Sequence, residues 1–263
     1  MNTEDKINLS DLNLAEYTRE VTRWNLSGEI LEQNDLLLTK GSYPFPTTCT
    51  AMTLGGMASE TASATFDRIR TFYRERKSPF SIHLRVHADS ALEAVCREKK
   101  MYPLPDAPGM FVDRPLGKKP VPGDIEIRHV TDVAGVVDFA SVVGESFQSL
   151  GMPAEVSRQI FATPERLLRP PIDRVVAYAS GRPVSTAMTL YAQGIAGLYW
   201  VGTLEHSRQK GFGEACVREA VNEAFRRGAA LVVLQASKFG APLYEHMGFR
   251  EITRYRWYLC FES

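Results

Sequence analysis

The residues with the clearest chemical potential are those of 198–213, LYWVGTLEHSRQKGFG. An aromatic and β-branched run reads as a strand, and a short polar turn follows it. Arg208-Gln209-Lys210-Gly211-Phe212-Gly213 then leads at once into a helical pattern. A strand, a basic glycine-bearing loop and a helix N-terminus in that order suit a phosphate. Successive backbone N–H groups point into one concavity, and the helix dipole adds partial positive charge at its mouth. Gly211 and Gly213 permit positive φ and a close approach of the backbone to a ligand. A nucleotide P-loop needs a lysine followed by Ser or Thr after its glycines. Lys210 precedes Gly211 and is followed by neither, so nucleotide phosphate is the poorer fit.

The rest of the composition narrows the partners. Lys plus Arg and Asp plus Glu are both 31, so the net charge is zero and nothing points to a nucleic-acid partner or a basic membrane-binding face. No apolar run approaches the ~18–20 residues of a membrane span. The N-terminal MNTEDKINLSDLNLAEY has neither a basic n-region nor an apolar h-region, which points to the cytoplasm. Cys49, Cys96, Cys216 and Cys260 are far apart and lack C-x-x-C spacing, as buried free thiols of a reducing compartment would be. The five histidines form no ligand-spaced cluster with them, so no metal is expected.

The elements that must position the loop can be read in order. A weak amphipathic pattern over 14–24 ends on Trp24, which should anchor a helix. Asn34-Asp35 signals a turn, and 36–39 and 48–54 read as strands separated by a proline-punctuated loop. Ala62, Phe66, Ile69, Phe72 and Tyr73 recur at helical spacing within 59–76, and Arg68, Arg70, Arg74 and Arg76 form a solvated face. A strand at 80–86, a helix capped by Asp89 and a short strand at 110–112 follow. His83 and His87 lie near a strand end and read as structural.

PLGKKPVPG at 115–123 is the clearest linker, placing a boundary between a unit of 1–120 and one of 121–263. Beyond it, 125–128 alternates as a strand, Thr131 or Asp132 caps a helix through Phe139, and 144–169 is a looser helical region. Strands at 174–178, 183–191 and 196–203 follow, with a hairpin turn at Ser180-Gly181-Arg182. Tyr199 and Trp200 read as sheet residues, because aromatics favour strands. A helix over 214–227 ends at Gly228 as a C′ glycine, followed by a buried parallel-type strand at 231–234 and a last strand at 255–261.

This order, the R-x-x-G-x-G loop at Arg208, Gly211 and Gly213, and LYEHMGF at 243–249 together resemble the GNAT acyltransferase superfamily over roughly 124–261. The resemblance implies an α/β (α+β) fold, a mixed central sheet flanked by helices. It implies acetyl-CoA as acyl donor and a small-molecule or peptide amine as acceptor. The strand before the loop would splay and leave Val201, Gly202 and Thr203 to pair with pantetheine. Gln209, Lys210, Gly211, Phe212, Gly213 and Glu214 would cradle the pyrophosphate, with Arg208 beside them. Tyr244 matches the tyrosine that protonates the departing thiolate, and Ser237 stands where an Asn often holds the cofactor. Some relatives carry a Glu in the strand at 231–234; this chain has none, which leaves Glu205 or His206 as candidates for the base.

The N-terminal half echoes the second half of that domain without the glycine loop, since Gly55-Gly56-Met57 has no basic neighbours. It resembles a degenerate, smaller GNAT-like unit of the tandem type that binds no CoA. The expected protein is a monomer or homodimer that moves acetyl directly to a primary amine. A catalytically silent CoA-binding sensor or scaffold is the alternative, weighted by the missing strand carboxylate and by Ser237.

Overall fold

The computed structural model describes every residue except 34, 56–60, 121, 122, 124, 262 and 263. The expectations that fall on Asn34, Gly56, Met57 and Ser59 therefore lie outside the described residues. In chain order the elements are α1 (Thr3–Arg23), β1 (Glu29–Gln33), β2 (Leu36–Lys40), β3 (Cys49–Thr53), α2 (Ala62–Glu75), β4 (Phe80–Arg85), α3 (Ser90–Glu98), β5 (Tyr102–Pro103) and β6 (Ala107–Val112). They continue as β7 (Ile125–His129), α4 (Val133–Ser146), α5 (Ala154–Ile160), β8 (Ile172–Ala179), β9 (Arg182–Ala192), β10 (Ile195–Thr203), α6 (Phe212–Arg226), β11 (Val232–Gln235), α7 (Ala241–His246) and β12 (Arg250–Cys260).

The chain forms two compact units, and their division differs from a single cut after residue 120. One holds Met1–Met110, Gln235–Ala241 and Glu251–Ser263; the other holds Phe111–Leu234 and Pro242–Arg250. The chain returns to the first unit because β12 pairs antiparallel with β4, from Tyr255 opposite Arg85 to Cys260 opposite Phe80. The proline-rich stretch at 115–123 lies with the second unit. The Leu116 N–H donates to Asn222 Oδ1 (2.8 Å), Arg218 donates to the Gly117 carbonyl, and Lys119 Nζ reaches both Glu214 oxygens at 3.0 and 2.8 Å. It has no apolar periodicity because polar groups on α6 hold it.

In the first unit β1, β2, β3, β4 and β12 lie in that order, β3–β4 parallel and the others antiparallel, with β5 on β12. The predicted positions Phe66, Ile69, Phe72 and Tyr73 face a core with Leu36, Leu38, Phe80, Ile82 and Leu92. Helix α1 runs well beyond 14–24. A capping box of Asn2 and Asp5 starts it, and the face it buries includes Ser10, Asp11 and Asn13, which hides the apolar period. Those polar groups are used: Tyr255 Oη donates to Asp11 Oδ1 at 2.7 Å, and His87 Nε2 lies 3.0 Å from Asp11 Oδ2. Trp24 anchors the helix end as expected, buried and donating from Nε1 to Glu20 at 3.1 Å. Burial holds the His83 imidazole down to about 3, a neutral ring beside Trp257.

Asp89 precedes α3 at the cap position, but its side chain makes no cap hydrogen bond. Arg85 takes that carboxylate instead, through Nε to Oδ2 (3.0 Å) and Nη2 to Oδ1 (2.9 Å), and Nη2 also donates to Thr53 and the Gly55 carbonyl. Both side chains are buried. Removing one member of such a pair strands the other charge, at a cost of ~3–5 kcal/mol. Arg85→Ala should therefore lower the unfolding free energy by about that amount, read from the urea midpoint. An unchanged midpoint would show that the network contributes nothing.

In the second unit β11, β10, β9, β8 and β7 lie in that order, β10–β11 parallel and the rest antiparallel. Residues 174–178 of β8 and 184–190 of β9 are buried without interruption, so both faces of the sheet are covered. Helices α4 and α6 pack on these strands. The predicted hairpin closes on Ser180 (φ 49°) and Gly181 (φ 74°), and a second closes β9 to β10 on Gln193 (φ 57°) and Gly194 (φ 73°). Positive φ at both central residues matches the twist of the strands they join. Asp132, not Thr131, caps α4 by accepting from the Gly135 N–H (2.8 Å), and the helix runs on to Ser146.

Candidate functional site

The site is built on β10. Its parallel ladder with β11 holds only Ala196 opposite Val232 and Gly197 opposite Val233. On the other edge it pairs with β9 down to Tyr199–Met188, then resumes at Gly202–Thr186. Trp200 and Val201 therefore oppose the single residue Ala187, a β-bulge. Trp200 carries the turn with φ 51°, in the left-handed region. A bulky side chain there costs ~1–3 kcal/mol and persists only where its surroundings over-determine it.

Those surroundings are hydroxyls of β9. Thr186 Oγ1 donates to the Trp200 carbonyl (3.1 Å), and Ser185 Oγ donates to the Gly202 carbonyl (2.9 Å). Ser185 Oγ also lies 2.8 Å from Thr203 Oγ1. On the helix side, a Cβ added at Gly202 would lie 2.3 Å from Ser146 Oγ and 3.3 Å from a Phe147 ring carbon. The end of α4 thus rests directly on the strand, and only glycine at 202 leaves room for it. Both aromatic residues read as sheet residues lie in β10. Tyr199 is buried and pairs with Met188. Trp200, at the bulge, packs on Phe147 and Phe161, with ring centroids 5.2 and 5.5 Å away.

After the strand, Glu205–Ser207 makes one 3-10 turn that exposes Glu205 and His206 to solvent. The loop that follows has Gln209 at φ 60° and Gly211 at φ 80°. Gly211 is the N-cap of α6 and supplies no side-chain cap, so the first N–H groups of a 15-residue helix have no capping side chain. Left-handed residues alternating with others just ahead of such an end form an anion-binding concavity. Gly213 is required for contact: a Cβ there would lie 3.0 Å from Thr203 Oγ1, the hydroxyl already paired with Ser185.

Glu214 in the first turn of α6 would oppose an anion, but it is neutralised. Partial burial acts to raise its pKa, and the hydrogen bonds from Lys119 and Arg218 outweigh it, holding the carboxyl below the usual range. The pairs measure 2.8 Å to Lys119 and 2.7 Å to Arg218. Two cations meet one carboxylate, and Lys210 in the loop is exposed.

Arg208 bonds to groups of the protein itself. Its Nε donates to the Thr203 carbonyl (3.2 Å), and Nη2 reaches the Ser146 carbonyl (3.4 Å) and Ser149 Oγ (2.9 Å). The guanidinium ties the end of β10 to the turn after α4. Tyr244 on α7 is buried, its ring edge-on to Phe249 at 5.6 Å, and burial pushes its phenol well up. Ser237 lies in the first compact unit, where its hydroxyl accepts from the Gly240 N–H (3.1 Å). The second unit therefore brings together Val201, Gly202, Thr203 and the whole loop. Ser146, Ser185, Thr186, Lys119 and the bulge at Trp200 were missed: small hydroxyl residues in a helix or strand carry no sequence signal, Lys119 lies in the linker far from Glu214 in the chain, and a bulge leaves the alternation intact. Among the described residues no group of three or more His, Cys, Asp or Glu could hold a metal, and no helix is long and apolar enough to cross a membrane.

A mixed sheet with one strand bulged ahead of an uncapped, glycine-led helix defines an α/β domain. Residues 144–249 match the family model of the Acetyltransferase (GNAT) family, so the chain carries a GNAT acetyltransferase domain there. The fold agrees. A GCN5-related N-acetyltransferase from Kribbella flavida superposes with TM-score 0.72 at 18% identity, covering 97% of this chain and 96% of that one. A GCN5-related N-acetyltransferase from Sphaerobacter thermophilus gives 0.62 at 19% identity, over 87% and 81%. A tandem GNAT protein from the clavulanic acid biosynthesis pathway gives 0.62 at 12%, over 90% and 84%. At these identities the likeness is one of fold. A comparison with curated proteins finds no match.

The contact at Gly202 has a measurable consequence. Gly202→Ala should cost ~1–3 kcal/mol as overpacking. Ser146→Gly in the same chain should restore part of that loss, since it removes the atom that is struck. A double-mutant cycle by thermal unfolding with no coupling would contradict the contact.

Proposed function

We propose that the protein is an N-acetyltransferase that moves the acetyl group of acetyl-CoA directly to a primary amine. The observation that carries this reading is the uncapped start of α6, with left-handed Gln209 and Gly211 ahead of it and Lys119 and Arg218 cancelling Glu214. In this reading the N–H groups of Gly211, Phe212, Gly213 and Glu214 hold the pyrophosphate, with Gln209 and Lys210 at its edge. The short ladder between β10 and β11 leaves the β10 backbone at Val201, Gly202 and Thr203 to run alongside pantetheine. Ser237 is assigned to the far end of the cofactor, a proposal from the resemblance alone.

The amine nitrogen attacks the thioester carbonyl, the carbon–sulfur bond breaks, and the thiolate takes a proton from Tyr244. The enzyme's part is positioning and proton transfer. Direct transfer is favoured over an acyl-enzyme because burial pushes the Cys216 thiol up to about 12, so the cysteine on α6 offers no thiolate. Glu205 is the carboxylate that follows the bulged strand most closely in the chain, and we assign it the amine proton, directly or through water. The N-terminal half, residues 1–120, is assigned no CoA site, and cytoplasmic placement follows from the same reading.

Acetyl-CoA at a hundredfold excess over its Kd should stabilise the protein by ~2.7 kcal/mol, several degrees in Tm. Gly211→Val, which forces a β-branched side chain into the left-handed cap, should abolish that shift. A wild-type protein that shows no shift refutes the loop's role. Tyr244→Phe should lower kcat for free-thiol release by ~10²–10⁴ while the thermal shift with acetyl-CoA survives. Because burial raises this phenol above its ordinary ~10, it stays protonated through neutral and mildly alkaline pH. The alkaline fall of kcat that depends on Tyr244 should therefore lie above pH ~10. Glu205→Gln should lower kcat/KM for the amine, and an unchanged kcat/KM would remove Glu205 from the mechanism. Binding without thiol release across a broad amine screen would identify a silent CoA-binding module instead.

A further inference from the structure

The transferase reading leaves the acceptor open, and one cluster in the second unit bears on it. Trp200 sits on the bulge, in left-handed backbone, half-buried. Its indole packs on Phe147 (centroids 5.2 Å, rings at 49°) and on Phe161 (5.5 Å, 68°), and Phe161 is held in turn by Phe139 at 6.0 Å. Phe139 and Phe161 are buried, whereas Phe147 and Trp200 are only half-buried. The cluster adjoins the strand that carries the proposed thioester, because a Phe147 ring carbon would lie 3.3 Å from a Cβ at Gly202. A half-buried aromatic cluster thus stands beside the backbone where acyl transfer is placed.

A positive charge is held along this wall. The Arg208 guanidinium is fixed on the Ser146 carbonyl and Ser149 Oγ, on either side of Phe147 in the chain. Aromatic faces take flat apolar groups by offset or edge contact. Apolar surroundings also favour the uncharged form of an amine, which is the nucleophilic one. A fixed guanidinium repels a second positive charge on the same acceptor. These features together select against polyamines and against acceptors with several ammonium groups.

We propose that Trp200, braced by Phe147 and Phe161, is the specificity wall for the acceptor, and that the acceptor is a monoamine carried on a flat apolar ring. This inference rests on the acetyltransferase reading. Trp200 contacts the acceptor's ring and takes no part in proton transfer, so its loss should appear in KM for the acceptor more than in kcat.

The test is steady-state thiol release from acetyl-CoA with 2-phenylethylamine and tryptamine against cadaverine and spermidine, using the full chain. The wild type should favour the aromatic amines by roughly tenfold or more in kcat/KM. Trp200→Ala should remove that preference, mainly by raising the KM of the aromatic amines, and should leave the KM for acetyl-CoA within about twofold. Trp200→Phe should retain most of it. If Trp200→Ala does not fold, Phe147→Leu must show the same loss of discrimination. Preference for cadaverine or spermidine, or a Trp200→Ala protein with unchanged selectivity, overturns the inference and leaves the transferase reading standing. Acetyl-CoA binding with no thiol release from any of the four amines overturns both.

Discussion

The second unit depends on one kink in one strand. Strand β10 must leave β11 after Gly197, stay attached to β9, and still deliver its end to the start of α6. A regular strand does not meet all three demands, because its two edges advance together. The bulge at Trp200 and Val201 lets it, by spending an extra residue against Ala187 alone. The strain of the left-handed Trp200 is met by Thr186 and Ser185, whose hydroxyls hold the carbonyls on both sides of Val201. Without those braces the same sequence would relax toward regular pairing and Gly202 would lose its register under α4.

Electrostatics then follow from the geometry. A helix N-terminus carries roughly half a positive charge, and a carboxylate in its first turn would ordinarily satisfy it. Glu214 stands there, yet Lys119 and Arg218 engage it from outside the loop. The carboxylate anchors the chain that enters the unit while the N–H groups keep their direction toward the loop's mouth. This explains why a stretch as poor in apolar residues as 115–123 is ordered over its described part: its lysine is half of an ion pair, and its backbone meets Asn222 and Arg218.

Much of the fold was legible, for reasons that separate by length scale. The loop at 208–213, the Gly228 C′ stop, the Ser180-Gly181 hairpin and the helix over 62–75 are local, and each is dictated by a residue that few conformations suit. What escaped is non-local. The first half of helix α1 hid because Asp11 and Ser10 are buried against Tyr255, more than 240 residues away in the chain. Asp89 looked like a plain cap, and the guanidinium of Arg85 takes its carboxylate instead. The pairing of β12 with β4 was invisible for the same reason, since strand partners are fixed by packing and not by the strand's own composition. Within the site, the sequence located the loop and the strand but not the bulge.

Arg208 shows how a residue of a readable motif also makes contacts that the motif does not foretell. Its place ahead of two glycines suggested charge for a phosphate, and its guanidinium is engaged elsewhere. It closes a triangle of the Thr203 carbonyl, the Ser146 carbonyl and Ser149 Oγ. Those three groups belong to the end of β10 and to the turn that carries Phe147. A planar fork with several donors suits this task, because it satisfies carbonyls in two directions at once and a lysine cannot. The arginine thus couples the loop's entry to the position of the aromatic wall. Three hydrogen bonds from one side chain therefore join the loop's entry to the turn that carries Phe147.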